Sequence, residues 1–246
     1  MGAPGTSVTD HTGRFHHLTN AYVAGPALFP SLGSANPSLT ALTLARSTAR
    51  AIVTERALTP PPGFQPLSLA PGDWQMIAAA GSSPQMRHLG PLLETSGSYG
   101  LYWYLRRSTG DTDFWIEWRE LQAGDNSGVY LHAPDPSVPD ALRLADTQGY
   151  EIQIDDLCAG TPTGLDIHCT GAIYGLQGPS ASAANPPREW NSFLIQNVGR
   201  RIQVTLNGNT VNDYTGNRST TGFLALQMHS GTIQFRNLQA RPAARP

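Results

Sequence analysis

The stretch Gly149-Tyr-Glu-Ile-Gln-Ile-Asp-Asp156 alternates between apolar and polar side chains. Even positions are apolar and odd positions polar: Tyr150, Ile152 and Ile154 against Glu151, Gln153 and Asp155. A period of two residues is the pattern of a β-strand that buries one face and exposes the other. The stretch therefore predicts a strand in a sheet with a polar face, and the fold assignment starts here.

A second stretch, Phe114-Trp-Ile-Glu-Trp-Arg-Glu120, alternates in the same way. Shorter runs with strand-like composition follow at Gly128–His132, Ser192–Gln196, Arg201–Asn207, Gly222–His229 and Thr232–Leu238. Asn207-Gly208 predicts a tight hairpin turn after the third of these runs. The chain is rich in turn formers, with 25 Gly and 20 Pro. Many short strands without helical crossovers predict an all-β sandwich or jelly roll and disfavour a parallel α/β sheet.

Charge is scarce: 14% of the 246 residues are charged, none of them Lys, and the formal net charge is −2. Basic residues occur in runs of two at most, as in Arg106-Arg107 and Arg200-Arg201, so the basic stripe of a nucleic-acid binder is missing. No apolar run approaches the roughly 20 residues that span a bilayer. The first residues also lack the apolar core of a signal peptide. We expect neither a nucleic-acid partner nor a membrane span.

Residues 1–58 have a different pattern from the rest. Asn36-Pro37 is a helix start, because Asn caps free N–H groups and Pro suits the first turn. Apolar residues then recur at helical spacing, at Leu39, Leu42, Ala45, Ala49 and Ile52. Residues 20–26 predict a short strand before that helix. The prolines at 60–62 mark residues 59–70 as a linker to a β domain over 71–241.

The opening segment resembles the C-terminal end of glucose-methanol-choline (GMC) flavin oxidoreductases. The resemblance lies in Val8-Thr-Asp-His-Thr-Gly-Arg-Phe15, residues 18–30 and Ala35-Asn-Pro-Ser-Leu-Thr-Ala-Leu42. It implies that Asn36 corresponds to an active-site Asn beside the flavin. The glycine-rich dinucleotide fingerprint is missing, so we do not expect FAD on this chain. The segment is interpreted as the remnant of a longer oxidoreductase.

Residues 71–241 closely resemble the 3-keto-disaccharide hydrolase domain family, which implies a concanavalin-like jelly roll. The matching stretches occur in family order: 113–119, 126–131, 149–156, 170–174, 189–191, 206–208, 226–229 and 235–238. One position departs from the family, because His132 stands where Arg is common. The resemblance implies an enzyme that cleaves 3-keto-glycosides, and a periplasmic or secreted location.

Alternation gathers polar side chains on the faces opposite the apolar ones. The predicted polar face carries Glu117, Glu151, Gln153, Asp155, His132, Gln227 and His229. A 3-keto sugar has an acidified C2–H, so a base can remove that proton and the resulting enolate expels the C1 substituent. Such chemistry needs a base that works near neutral pH and a hydrogen-bond donor or a metal ion at the ketone oxygen.

His229 and Glu151 are the preferred bases, with Glu117 and Asp155 as further catalytic candidates. Asn126, His132, Gln153 and Gln227 are candidates for binding sugar hydroxyls, and Tyr174 and Trp190 for stacking on a sugar ring. Structural alternatives stay open: Glu151, Gln153 and Asp155 as a cross-strand ladder, Glu117 as a partner of Arg119, His229 as a hydrogen-bonded structural histidine, Asn126 as a turn residue, and the aromatic residues as core. An ordinary glycosidase pair of carboxylates also stays open.

Cofactor signals are weak: the Glu-Gln-Asp alternation at 151–155 only suggests an oxygen-rich Ca²⁺ or Mg²⁺ site. Cys158 and Cys169 are either a disulfide or two thiols. The predicted function is cleavage of 3-keto-glycosides by elimination and hydration, with a sugar oxidoreductase as partner or fusion. The alternative is a non-catalytic carbohydrate-binding module of the same fold, because the fold alone does not separate the two.

Overall fold

The structure, a computed structural model, describes residues 1–18, 21–28, 38–55, 58–108, 110–158 and 166–243. The chain divides into two units, Met1–Ala57 and Leu58–Pro246. In the described residues the strands are β1 (Gln65–Pro66), β2 (Trp74–Ala78), β3 (Gln85–Leu89), β4 (Leu92–Ser96), β5 (Gly100–Ser108), β6 (Thr112–Glu120), β7 (Ser127–Ala133), β8 (Tyr150–Ile154), β9 (Asn191–Val198), β10 (Arg201–Leu206), β11 (Asn209–Thr215), β12 (Phe223–Met228) and β13 (Ile233–Pro242). The helices are α1 (Ser38–Glu55) and α2 (Ala141–Gln148).

The second unit is an all-β sandwich of two antiparallel sheets. The larger sheet has the order β11-β10-β9-β6-β13-β4-β3, with β1 added at β13, and the smaller has the order β2-β5-β12-β7-β8. Non-consecutive neighbours such as β6 and β13, or β12 and β7, give the crossed connections of a jelly roll. The predicted jelly-roll class is confirmed.

Side chains from the facing sides of both sheets form the main core. β8 contributes Ile152 and Ile154, β6 contributes Trp118, and β9 contributes Phe193, all fully buried. The rings of Trp118 and Phe193 pack 5.3 Å apart. Burying a large apolar side chain contributes roughly 1.5–3 kcal/mol, so this interior fixes which face of each strand turns outward.

The outer face of the smaller sheet carries a second apolar cluster. Leu101 and Trp103 of β5 and Tyr130 of β7 pack there against Ala141 and Ala145 of α2. The indole Nε1 of Trp103 donates to the Pro134 carbonyl at 3.0 Å, which attaches the chain before α2 to the sheet. Sequence patterning missed α2, an eight-residue helix between the paired strands β7 and β8.

Residues 59–70, predicted as a linker, are built into the sandwich. Phe64 and Leu67 are buried, and Gln65–Pro66 pairs with Gln239 and Ala240 of β13. The Asn207-Gly208 hairpin is present: β10 and β11 pair, and both turn residues have positive φ, 50° and 84°. Cys158 and Cys169 form a disulfide, which resolves the alternative left open by the sequence.

The first unit contains α1 and a 3-10 helix at Gly25–Leu28. Of the strand predicted over 20–26, residue 20 lies outside the described residues. The rest shows one isolated bridge, between Arg14 and Tyr22, because the 3-10 helix takes its last residues. The predicted helix is present, although its proposed cap at Asn36-Pro37 lies outside the described residues. Leu39 and Leu42, predicted on its apolar face, are mostly exposed. Neither described helix combines the length and apolar character needed to cross a membrane.

Candidate functional site

A cavity of about 470 Å³ opens on the outer face of the smaller sheet. That volume is in the range that accommodates a small organic ligand. Its floor comes from the adjacent strands β12, β7 and β8, and its walls come from α2 and the loops around it. The lining residues are Tyr99, Asn126, Tyr130, Asp146, Glu151, Gln153, Tyr174, Gly175, Arg218, Gln227 and His229.

Strand alternation explains the floor. On β8 the core takes Ile152 and Ile154, so Glu151 and Gln153 point the other way, into the cavity. A glycine keeps room for the carboxyl group: a Cβ on Gly128 of the neighbouring β7 would lie 2.2 Å from the Glu151 Oε1. The Asn-Ser-Gly sequence at the start of β7 therefore permits a glutamate on the floor.

Glu151 belongs to a hydrogen-bonded group of oxygen atoms. Its Oε2 lies 2.8 Å from the Tyr130 hydroxyl, which also lies 2.9 Å from the Asp146 Oδ1. The Tyr99 hydroxyl donates to the same Asp146 oxygen at 2.7 Å. A phenol has one proton and cannot donate to two carboxylates at once. Both contacts of Tyr130 are satisfied only when one carboxyl group is itself protonated.

Burial identifies which carboxyl group holds the extra proton. Removal from water raises the pKa of Glu151 from 4.5 to about 8, and the Asp146 charge adds to this effect against the lowering by the Tyr130 hydrogen bond. Burial also raises the pKa of Tyr130 and of Tyr99, so both stay protonated. At neutral pH the Glu151 carboxyl group therefore donates its hydrogen bond to the Tyr130 hydroxyl, and the Tyr130 hydroxyl donates to the Asp146 carboxylate.

The cavity floor contains buried acceptors that have no partner among the described residues. They are the Glu151 Oε1, the Gln153 Oε1 and the Gln227 Oε1. A buried polar atom without a hydrogen bond costs about 1–3 kcal/mol of folding free energy. Three such atoms in the floor of one cavity are therefore unusual in a folded protein. A ligand bearing several hydroxyl groups would satisfy all three.

The rim combines an imidazole, a phenol and a guanidinium. His229 follows β12 and is exposed, with its ring edge-on to Tyr99 at 6.2 Å. Tyr174 is 42% exposed, and its backbone N–H donates to the Glu151 carbonyl, which fixes its loop on β8. The Arg218 Nη1 donates to the carbonyls of Asp146 and Gly149, which places a positive charge at the wall.

Asp155 lies just behind the cavity. Its Oδ2 accepts a hydrogen bond from the Asn126 Nδ2 at 3.0 Å, and Asn126 lines the cavity. Its Oδ1 accepts from the backbone N–H of Leu157. The structure therefore gives Asp155 the position of a residue that orients Asn126.

His132 does not share the predicted polar face. Its φ of 56° breaks the alternation of β7, and the side chain turns into the sandwich interior. There the Nε2 lies 3.1 Å from the Oδ1 of Asn197 on the larger sheet, and the ring meets Tyr150 edge-on. Burial lowers the pKa of His132. Its surroundings are those of a structural histidine.

Glu117 and Trp190 lie on the other sheet. Alternation is as predicted on β6, but β6 belongs to the larger sheet, so Glu117 faces away from the cavity. Glu117 forms a buried ion pair with Arg236 at 2.8 Å and accepts the Leu58 N–H. The Trp190 ring contacts two guanidinium groups, those of Arg236 at 3.8 Å and Arg119 at 4.5 Å.

Apart from Gly175, four cavity residues were not found from the sequence: Tyr99, Tyr130, Asp146 and Arg218. Tyr130 could have been found, because it alternates with the core residues Val129 and Leu131 within the Asn-Ser-Gly stretch. The other three lie on loops or on α2 and carry no periodic signal. No three His, Cys, Asp or Glu side chains among the described residues are grouped to hold a metal ion.

The fold and the site define a class: jelly rolls of two antiparallel sheets with a ligand-sized cavity on the outer face of one sheet. Residues 72–241 match the 3-keto-alpha-glucoside-1,2-lyase-like domain, and the chain belongs to that family. Residues 1–45 match the GMC oxidoreductase C-terminal family. No curated protein matches the chain.

Solved structures support the fold. Two proteins of Parabacteroides distasonis, each described as a "putative glycosyl hydrolase", are similar to this chain. One shares 23% identity and a TM-score of 0.59, covering 72% of this chain and 98% of its own. The other shares 19% identity and a TM-score of 0.60, with coverages of 74% and 94%. A Bacillus subtilis protein with a galectin-like fold shares 12% identity and a TM-score of 0.52, with coverages of 74% and 96%.

Proposed function

We propose that this protein cleaves 3-keto-glycosides by removing the C2 proton, eliminating the C1 substituent and hydrating the product. The observation that carries the proposal is the Glu151–Tyr130–Asp146 group on the floor of a cavity with unpaired acceptors. It provides a stored proton beside a polyhydroxylated ligand. Membership of the 3-keto-alpha-glucoside-1,2-lyase-like family supports the choice of a keto sugar as that ligand.

His229 is the proposed base. Its ring is exposed in the cavity, so the imidazole can reach a bound sugar. Imidazole is the side chain that serves most often as a general base in enzymes. When the C2–H bond breaks, its electrons form the C2–C3 double bond and the C3 oxygen becomes negative. Arg218 supplies positive charge at the cavity wall to stabilise that oxygen.

Glu151 is the proposed acid. The C3 oxyanion re-forms its carbonyl, the electrons of the C2–C3 double bond form a C1–C2 double bond, and the C1–O bond breaks. The departing oxygen takes the proton from Glu151. Tyr130 and Asp146 form the hydrogen-bonded path that returns a proton to Glu151. The oxygen of a water molecule then bonds to C1, the proton that this water loses returns to Glu151, and His229 returns its proton to C2. The sum is 3-keto-glycoside plus water giving the free 3-keto sugar and the free alcohol.

The binding-module alternative is favoured by one observation. Tyr174 is large, apolar in its ring and 42% exposed at the rim, which is the presentation of a sugar-stacking platform. A binding module would use the same floor without proton transfer. Turnover separates the two functions, because a module retains the sugar and releases nothing.

The substrate's ketone requires an earlier oxidation of a glycoside at C3. We propose that a flavin-dependent sugar oxidoreductase acts before this domain, a view supported by the GMC oxidoreductase match at residues 1–45. The disulfide supports a periplasmic or secreted location, since such bonds persist in oxidising compartments.

The test is release of a chromogenic alcohol from a 3-keto-glucoside, with the unoxidised glucoside as the comparison substrate. We expect release from the keto compound alone. Glu151→Gln and His229→Ala should each lower kcat by roughly 10²- to 10⁴-fold, the usual contribution of general acid–base catalysis.

Matched controls are Glu94→Gln, on the larger sheet, and His17→Ala, in the first unit. Both should leave kcat unchanged. The proposal that this protein cleaves 3-keto-glycosides is refuted if the wild type releases no alcohol, or if release is unchanged in both cavity variants. Tight binding of the keto sugar without release supports the module, and equal release from the unoxidised glucoside supports an ordinary glycosidase.

A further inference from the structure

A second depression adjoins the cavity. It has a volume of about 490 Å³ and lies between β2, the start of α2 and the chain before that helix. Tyr99 and Asp146 line both spaces, so the two depressions share one wall. We call the second depression the apolar groove.

The composition of the apolar groove differs from that of the cavity. Most of its lining is aliphatic: Ile77, Ala78, Ala79, Ala80, Pro136, Val138, Ala141 and Leu142. Val138, in the loop before α2, is 36% exposed and presents its apolar side chain to the groove. Uncovered aliphatic surface beside a polar cavity is typical of a site for an apolar group.

The polar side chains of the groove are paired with one another. The Asp140 carboxylate lies 3.4 Å from the Arg143 guanidinium, and the Tyr99 hydroxyl donates to Asp146. A second sugar ring would place most of its hydroxyl groups against the aliphatic side chains of the groove, which offer no hydrogen-bond partner. The cavity floor, by contrast, holds three unpaired acceptors.

We propose that the apolar groove binds the leaving alcohol of the substrate, and that this alcohol is apolar, such as an aromatic or alicyclic aglycone, rather than a sugar. This inference rests on the proposed function, which places the keto sugar in the cavity. The bond to be broken then lies at the shared wall formed by Tyr99 and Asp146. The structure thus assigns the substrate class as keto-glucosides of hydrophobic alcohols.

The experiment compares benzyl and 2-hydroxyethyl 3-keto-glucosides. Their alcohols are similarly poor leaving groups, so a difference in kcat/KM reports binding of the aglycone. Burial of an aromatic ring contributes roughly 1.5–3 kcal/mol, which corresponds to about 10- to 100-fold. We expect the benzyl compound to be preferred by at least that lower factor.

Val138→Asp places a charge in the groove and should reduce the benzyl-to-hydroxyethyl ratio about tenfold. Val8→Asp makes the same change at an exposed valine of the first unit and should leave the ratio unchanged. Equal turnover of the two compounds, or an unchanged ratio in Val138→Asp, overturns the inference while the proposed function stands.

If neither compound is cleaved, the proposed function fails, and calorimetric binding of the same two compounds decides the groove by itself. Tenfold tighter binding of the benzyl compound, lost in Val138→Asp, supports an apolar site. Equal binding of the two compounds overturns it.

Discussion

The single proton of Tyr130 governs the chemistry available in the cavity. Because Tyr130 lies within hydrogen-bond distance of both Glu151 and Asp146, one carboxyl group must be protonated for both contacts to hold. Burial assigns that proton to Glu151, with a pKa of about 8. A carboxyl group that is neutral at pH 7 donates a proton, as catalytic acids do when their pKa is raised.

This pKa predicts how stability depends on pH. The folded state holds a proton on Glu151 that the unfolded chain, with a pKa of 4.5, releases. The stabilising effect is complete below about pH 4.5 and is lost as the pH rises through 8. We therefore expect the free energy of unfolding to fall over that window, and to fall less steeply in Glu151→Gln.

Urea unfolding at pH 5, 6, 7 and 8 measures this difference. Glu120, whose pKa burial also raises to about 8, contributes in the same direction, and His132 opposes it below pH 6.5. Comparing wild type with Glu151→Gln cancels both contributions. Parallel curves for the two proteins would show that Glu151 is ionised in the folded state.

Alternation predicted cavity residues where the strand is regular, whereas Asn126 and Tyr174, which lie outside the strands, were found in stretches that resemble the family. Glu151, Gln153 and Gln227 sit on strands whose alternation is unbroken, and they line the cavity. His132 sits on an equally regular-looking run, but its positive φ sends the side chain to Asn197 in the interior. Backbone conformation at one residue leaves no mark in a hydrophobic pattern.

At the scale of elements, the floor depends on the close approach of β7 and β8. Gly128→Ala would place a methyl group against the Glu151 carboxyl. We expect destabilisation of about 1–3 kcal/mol from the forced displacement, and a loss of kcat comparable to that of Glu151→Gln. Gly72→Ala is the matched control, because its added Cβ meets nothing within 4 Å.

Thermal unfolding and turnover of the two glycine variants would test this. A fully active Gly128→Ala would mean that Glu151 can move without effect, which contradicts a fixed proton donor on the floor.

The disulfide fixes the loop that leads to Tyr174. Cys158 and Cys169 close a loop with a sequence separation of 11 residues. Loop closure of this length contributes roughly 3 kcal/mol through the unfolded state. We expect Cys158→Ala/Cys169→Ala to lose about that much stability in chemical denaturation. Wild type treated with reductant should match the double variant, and stability that is equal with and without reductant would contradict the prediction.

Strand positions follow from alternation, whereas sheet membership does not. The Glu117 and Glu151 stretches have the same pattern, yet β6 and β8 lie in different sheets. Partner choice is set by long-range pairing, as between β6 and β13, more than a hundred residues apart. A local pattern therefore placed Glu117 beside Glu151 incorrectly. The short helix α2 was missed for a related reason: two alanines against Trp103 give too weak a periodic signal.

At the scale of the whole molecule, every lining residue of the cavity and of the apolar groove belongs to Leu58–Pro246. We expect a fragment of residues 57–246 to fold independently, with turnover and Tm close to those of the full chain. A shorter fragment beginning at Phe64 lacks two hydrogen bonds of Leu58. In the full chain its N–H donates to the Glu117 carboxylate, and its carbonyl accepts from the Asn237 side chain.

Losing a partner of a buried carboxylate costs about 1–3 kcal/mol, so the shorter fragment should melt several degrees lower. Calorimetry on the two fragments and the full chain would show this. Inactivity of the 57–246 fragment would mean that the first unit contributes to the site.

The segment with α2 is an insertion between β7 and β8, two strands that pair with each other. Glu151 and Gln153 lie on β8, while Val138, Leu142 and Asp146 lie in the insertion. Residues 134–145, which precede Asp146, could thus be exchanged between relatives without shifting the register of the sheet. Changes in this insertion, by evolution or by design, could alter which alcohol is released and leave Glu151 and His229 in place.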